Sequence, residues 1–119
     1  MSTNYYVPSL LVVVATMTFP LHISISNQSL DFPESIIEVQ LDGKQIFNMP
    51  MKTDGQHNWE EKDVSISEGK HSLFVKESKT NVNKSMEINI DREQWVVIKF
   101  LGPKSGFVID IEDQQVGYL

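Results

Sequence analysis

Residues 21–26 read Leu-His-Ile-Ser-Ile-Ser, and this stretch indicates the fold class of the whole chain. Hydrophobic residues occupy every second position, and successive side chains point to opposite faces of a β-strand. Leu21, Ile23 and Ile25 therefore share one face, whereas His22 lies on the other face with two serines. The stretch predicts a half-buried strand that directs His22 outward.

The same period of two continues towards the carboxyl end, in short runs separated by turn residues. Asp42-Gly43 lies directly between two apolar runs, which indicates a hairpin because a type I′ turn needs positive φ at both central residues. Glu68-Gly69 predicts a further turn, and residues 95–101 are apolar on both faces, which predicts a central strand with Trp95 in the core. No run of ten residues shows a helical period. We predict an all-β fold, an antiparallel β-sandwich of seven to eight strands, with a partly closed barrel as the alternative.

Composition excludes several classes of function. The chain has 119 residues and no cysteine, so we expect one domain without disulfides, thiolate catalysis or Cys-ligated metals. Its formal net charge is −6 and Arg92 is the only arginine. This acidic protein is expected not to bind nucleic acid, because phosphate contacts need clustered Lys and Arg. No motif indicates a cofactor, and we expect none.

The most apolar stretch, residues 7–19, carries no charge and is followed by Pro20. It is too short for a spanning helix but matches the hydrophobic region of a signal peptide. No Lys or Arg precedes it and no clean cleavage site follows, so an export or anchoring segment and a buried strand both stand as interpretations. We divide the chain into a hydrophobic N-terminal segment, residues 1–20, and a β-sandwich domain, residues 21–119. The first interpretation predicts a secreted or cell-envelope protein, with membrane contact only through an uncleaved segment. If residues 7–19 form a core strand, the prediction is a cytoplasmic protein.

Three motifs occur together at residues 37–44, 58–59 and 67–75: a strand ending in Asp-Gly, an aromatic residue in the next strand, and a Gly-x-His-x-Leu start to a further strand. In these motifs the chain resembles the bacterial immunoglobulin-like modules of secreted and cell-surface proteins, and the resemblance covers about a third of the chain. The usual Asp-x-x-Gly-Asn is absent, and residues 77–81 read Glu-Ser-Lys-Thr-Asn instead. The Asn-Gln-Ser, Asp-Gly and His-Asn-Trp pattern is also similar to that of small uncharacterised bacterial proteins. The resemblance implies a sandwich with a recognition or spacer role and no catalysis.

Trp59 is the leading candidate for ligand binding, with His57 and Asn58 beside it. Val64 and Ile66 define the inward positions of its strand, and Trp59 has the opposite parity. An outward Trp could stack on a sugar ring or anchor a protein partner. A bulge at Glu60-Glu61 would instead return the ring to the core.

The other titratable residues suggest no site by their spacing. His22, His57 and His71 have no metal-binding spacing, and we expect no metal site. Asp110 and Glu112 share a strand face, which favours a solvated surface over a calcium site or a catalytic pair of carboxylates.

These observations favour a non-enzymatic β-sandwich module for recognition or structural interaction, with a protein or glycan partner. The alternative is a carbohydrate-binding module that uses an exposed Trp59. A small hydrolase using Asp110 or Glu112 is a third, less favoured hypothesis.

Overall fold

A computed structural model of the chain describes residues 16–53 and 59–115. Within these ranges it contains eight strands and no helix, and hence no helix that could cross a membrane. The strands are β1 Thr18–Asn27, β2 Glu34–Leu41, β3 Lys44–Lys52, β4 Trp59–Ser67, β5 Gly69–Glu77, β6 Asn83–Ile90, β7 Gln94–Phe100 and β8 Phe107–Glu112. The predicted all-β class is therefore confirmed.

The strands form two four-stranded sheets. The first sheet has the order β4-β1-β7-β8, and the second has the order β3-β2-β5-β6. The second sheet is antiparallel throughout, but β1 and β7 run parallel in the centre of the first. The prediction of a purely antiparallel fold is wrong at this pair. Alternation along a strand fixes its faces but not its neighbour, and β7 reaches β1 from a distant part of the chain.

The hydrophobic core lies between the two sheets and follows the predicted alternation. Leu21, Ile23 and Ile25 of β1 are fully buried, as are Ile37 and Val39 of β2. The Asp42-Gly43 hairpin is confirmed, with φ of 53° and 79° at its two residues. The predicted turn at Glu68-Gly69 is not a hairpin, because Glu68 links β4 and β5, which belong to different sheets.

The first strand begins earlier than the division at residue 20 implies. β1 includes Phe19 and Pro20, and Pro20 pairs with Ser65 of β4, whereas pairing of β1 with β7 starts at Leu21. A proline is tolerated there because it need not donate to a second neighbour. Residues 1–15 of the hydrophobic segment lie outside the described residues.

Trp95 is not a core residue, contrary to the prediction. Val96, Val97 and Ile98 are all fully buried, so β7 is covered on both faces there. Trp95 has the parity of Val97 rather than that of the core residue Val96, and it is half-buried on the outer face of the first sheet. Because residues 95–98 are all apolar, their sequence does not show which of them face away from the core.

The two ends of the sandwich differ. At one end, here called the loop end, lie the β1–β2 connection, the last residues of β3, the β5–β6 turn and the β7–β8 loop. At the opposite end, here called the turn end, lie Asp42-Gly43, Glu68 and residues 91–93. Each end carries its own polar network.

Candidate functional site

The loop end contains a cavity of about 530 Å³, here called the loop-end pocket. This volume lies within the range of small-molecule pockets. Its lining comes from the β1–β2 connection, the facing ends of β2 and β3, and the β5–β6 turn: Asp31, Phe32, Pro33, Glu34, Lys52, Thr53 and Lys79. Three separate segments therefore converge on one concave surface.

A buried amide holds the wall that carries Phe32. Asn27 is fully buried at the end of β1. Its Nδ2 donates to the backbone oxygens of Phe32 and Met51, at 3.2 and 3.1 Å, and to Ser35 Oγ at 3.0 Å. Its Oδ1 accepts the Ser29 N–H at 3.0 Å. The side chain thus joins the β1–β2 connection to β2 and β3.

The β1–β2 connection is also supported from the β7–β8 loop. Ser29 is buried, its Oγ donates to Asp31 Oδ1 at 3.0 Å, and it accepts the Phe32 N–H at 2.8 Å. Gly102 has a φ of 104°, and a Cβ there would lie 2.8 Å from both Asp31 Oδ1 and Ser29 Oγ. Only glycine allows the two loops to approach this closely.

A buried carboxylate holds the wall that carries Lys79. Glu77 ends β5 and is fully buried. One of its oxygens accepts the Ile36 N–H at 2.6 Å, and the other accepts the Thr80 N–H and hydroxyl at 2.9 and 3.1 Å. These bonds fix the β5–β6 turn against β2, so both walls of the pocket are held by buried polar side chains.

The pocket combines an aromatic surface with charge. The Phe32 ring makes an edge contact with the buried Phe100 ring, with centroids 6.1 Å apart. Lys79 Nζ lies 6.0 Å from the Phe32 centroid, within cation–π range. Glu34 and Lys52 face each other directly across β2 and β3. Such a surface can accept a ligand that has both an apolar face and a charged group.

The predicted ligand-binding residue Trp59 lies on the outer face of the first sheet. The β1·β4 register runs without a shift from Thr18↔Ser67 to Ser26↔Trp59, so no bulge occurs at Glu60-Glu61. Trp59 therefore shares its face with Glu61 and Asp63, and it is half-buried. His57 and Asn58 lie outside the described residues.

His22 lies on the same outer face, as its parity predicts. Its Nδ1 is 2.7 Å from Asp63 Oδ1 and its Nε2 is 2.7 Å from Glu93 Oε2. The ring also stacks on Trp95, with centroids 4.9 Å apart. The hydrogen bond to Glu93 does most to raise the pKa of His22 above its usual value, Asp63 adds to this, and burial opposes it. The geometry fits a protonated ring that donates from both nitrogens.

His71 is held in a similar way at the turn end. Its Nδ1 contacts Asp42 Oδ2 at 2.5 Å and its Nε2 contacts the Ser67 backbone oxygen at 2.7 Å. The bond to Asp42 raises the pKa of His71 against the effect of burial, and the same bond is the main cause that lowers the pKa of Asp42. In both described histidines each ring nitrogen has a partner, whereas a general base needs a nitrogen that can take up a proton.

The acidic residues of β8 also face outward. Asp110 and Glu112 lie directly opposite Val97 and Trp95 of β7, and both are exposed. Over residues 16–53 and 59–115, no group of three His, Asp or Glu side chains is arranged to hold a metal ion.

The loop-end pocket was not predicted from the sequence, although two signals for it were present. Asn27 follows Leu21, Ile23 and Ile25 at the next inward position of β1. Glu77 follows Leu73 and Val75 in the same way on β5. A polar residue where the alternation requires an apolar one indicates a buried hydrogen-bond network, because an unpaired buried polar group is costly.

Comparison of the chain with family models, with curated proteins and with solved structures finds no match.

Proposed function

We propose that this chain is a non-enzymatic recognition module that binds its partner in the loop-end pocket. The observation that supports this most directly is the pair of buried anchors, Asn27 and Glu77, one behind each wall. Burying an amide or a carboxylate costs free energy unless its polar atoms are hydrogen-bonded, and the side chains of Asn27 and Glu77 are both hydrogen-bonded here. Their bonds go to the segments that line the pocket, so the polar network holds the lining in place, as recognition of a partner would require.

We further propose that the module is of the immunoglobulin-like kind. Support comes from its short strands in two sheets, and from the connections that cross between the sheets at β1–β2, β3–β4, β4–β5 and β6–β7. Binding at the loops of one end is consistent with such a scaffold, because loops at the ends of a rigid sandwich are readily shaped into a site.

The experiment for the pocket is an NMR titration of the ¹⁵N-labelled protein with a panel of monosaccharides and single amino acids at millimolar concentration. We expect at least one compound to shift the amides of Phe32, Thr53 and Lys79. Lys44 and Asn48, at the other end of β3 and along its exposed edge, serve as reference amides. A panel that shifts no pocket amide, or that shifts the reference amides equally, contradicts the proposal.

Carbohydrate binding on the outer face of the first sheet is the second candidate. The continuous β1·β4 register, which directs Trp59 away from the core, favours it. In native gels cast with soluble polysaccharides, retardation of the wild type that is lost in Trp59→Ala and kept in Trp59→Phe would support this candidate. Urea unfolding of both variants tests whether the fold is unchanged.

A hydrolase using Asp110 and Glu112 stays a prediction, and activity lost in Asp110→Asn but kept in Trp59→Ala would support it.

We also propose a place for the module outside the cytoplasm, on the basis of the uncharged apolar segment at residues 7–19. Mass spectrometry of the mature amino terminus from the native host tests this. Cleavage near residues 17–21 would establish export, and an intact Met1 in the soluble cell fraction would contradict it.

A further inference from the structure

The chemistry of the loop-end pocket indicates the class of its ligand. We propose that it binds a six-membered ring that has an apolar face and carries a carboxylate, whether an acidic sugar or an aromatic acid. This inference rests on the proposed function, because it names what the recognition pocket accepts.

Lys79 provides the anion-binding group. It lines the pocket, and its ammonium lies 6.0 Å from the centre of the Phe32 ring. Among the described residues no carboxylate lies within ion-pairing distance of Lys79. Glu77, two residues away, is buried, and its oxygens accept bonds from Ile36 and Thr80 instead. The ammonium can therefore pair with an incoming anion without breaking an existing ion pair.

The other charged residues that line the pocket are Asp31, Glu34 and Lys52. Glu34 and Lys52 are cross-strand neighbours of opposite sign. Asp31 accepts the Ser29 hydroxyl at 3.0 Å and is held near Gly102. The described lining residues include two acidic and two basic side chains, so their charges balance, and Lys79 is the cation that lies beside the Phe32 ring.

Phe32 and Pro33 provide the surface for the ring. The Phe32 backbone is fixed by Asn27 and Ser29, and its ring is packed on Phe100, so little conformational freedom is lost on binding. A ring laid against this surface places a carboxylate substituent within reach of Lys79. Recognition would then combine stacking with one charge-assisted hydrogen bond.

Two matched pairs of probes test the proposal by NMR titration. D-glucuronate and D-glucose represent sugars with and without the carboxylate, and phenylacetate and phenylacetamide represent the aromatic pair. We expect at least one acid to shift the Phe32 and Lys79 amides and to bind more tightly than its neutral counterpart, by up to about fivefold, since one ion pair at a partly exposed site contributes up to about 1 kcal/mol. The acid that binds identifies the source of the ring.

Lys79→Gln should abolish this preference for the acid, whereas Lys84→Gln should retain it. Lys84 lies on the exposed part of β6 outside the pocket, so the second variant makes the same change in net charge. Equal binding of acid and neutral probes, or a preference that survives Lys79→Gln, overturns the ligand class and leaves the recognition pocket standing. If none of the four probes and no member of the earlier panel shifts a pocket amide, both proposals fail.

Discussion

Replacing Asn27 with alanine should destabilise the protein by about 3 kcal/mol and disorder the wall that carries Phe32. The substitution leaves the buried Ser29 N–H and the partly buried Phe32 carbonyl without their side-chain partner. Each unpaired group costs about 1–3 kcal/mol, whereas Met51 O keeps its bond from Ser35 Oγ. A domain of this size has about 5–15 kcal/mol of stability, so the variant should still fold.

Urea unfolding, followed by the fluorescence of the two tryptophans, measures the loss. Asn48→Ala is the matched control, because the exposed Asn48 amide makes one long bond of 3.4 Å to Gln45, and its loss should change stability by less than about 0.5 kcal/mol. If Asn27→Ala costs no more than this control, the side chain does not hold the wall and the reasoning is refuted.

Asn27→Asp gives a second, independent readout at the same position. The new carboxylate places an oxygen where Nδ2 now donates to Phe32 O and Met51 O, so at pH 7 it should destabilise more than alanine does. Burial among acceptors raises the pKa of a carboxyl group, so the penalty is present above the unfolded pKa of about 4 and shrinks as the pH falls towards it. A penalty independent of pH would contradict the geometry.

Three further predictions concern the ends of the sandwich. The pKa of His22 is raised in the folded state, so its stabilising effect is full below the unfolded pKa of about 6.5 and is lost as the pH rises through the folded pKa. The difference in unfolding free energy between wild type and His22→Gln should therefore be larger at pH 6 than well above the folded pKa. NMR titration of the ring checks the raised pKa. Gly102→Ala should lower the free energy of unfolding by at least about 2 kcal/mol, because the new Cβ meets Asp31 and Ser29. At Gly106 the nearest atom would lie 3.8 Å from an added Cβ, so Gly106→Ala should cost only the strain of positive φ. Comparable losses of stability in the two variants would refute the close approach at Gly102. Glu77→Gln should lower the free energy of unfolding by about 2 kcal/mol and speed hydrogen exchange at the Thr80 amide, because the new side-chain N–H must face a backbone N–H donor. The control Glu87→Gln, at an exposed position, should have neither effect.

Much of the fold could be predicted because a strand's alternation reports its buried face directly. The faces of β1, β2 and β5, the Asp42-Gly43 hairpin, the outward position of His22 and the parity of Trp59 all follow from local spacing. Whether a bulge intervened before Trp59 could not be decided locally, because a bulge depends on the register with the neighbouring strand. The unshifted pairing of β1 with β4 supplied that answer.

The candidate site was harder to predict because its parts are distant in sequence. Asn27 and Glu77 can be recognised as polar residues at inward positions, but their partners Met51 and Ile36 lie on other strands. Lys79 and Phe32 meet only because the two sheets bring the β5–β6 turn next to the β1–β2 connection. No local pattern encodes such a meeting.

The sequence by itself determined that the chain is all-β, which faces its strands bury and where it makes its tightest hairpin, because these depend on the conformational preferences of neighbouring residues. The tertiary structure alone decided that β1 and β7 run parallel, that Trp95 stacks on His22, and that two buried polar side chains brace one pocket. These features depend on which strands become neighbours. That choice is made by the packing of the whole core and not by any segment of it.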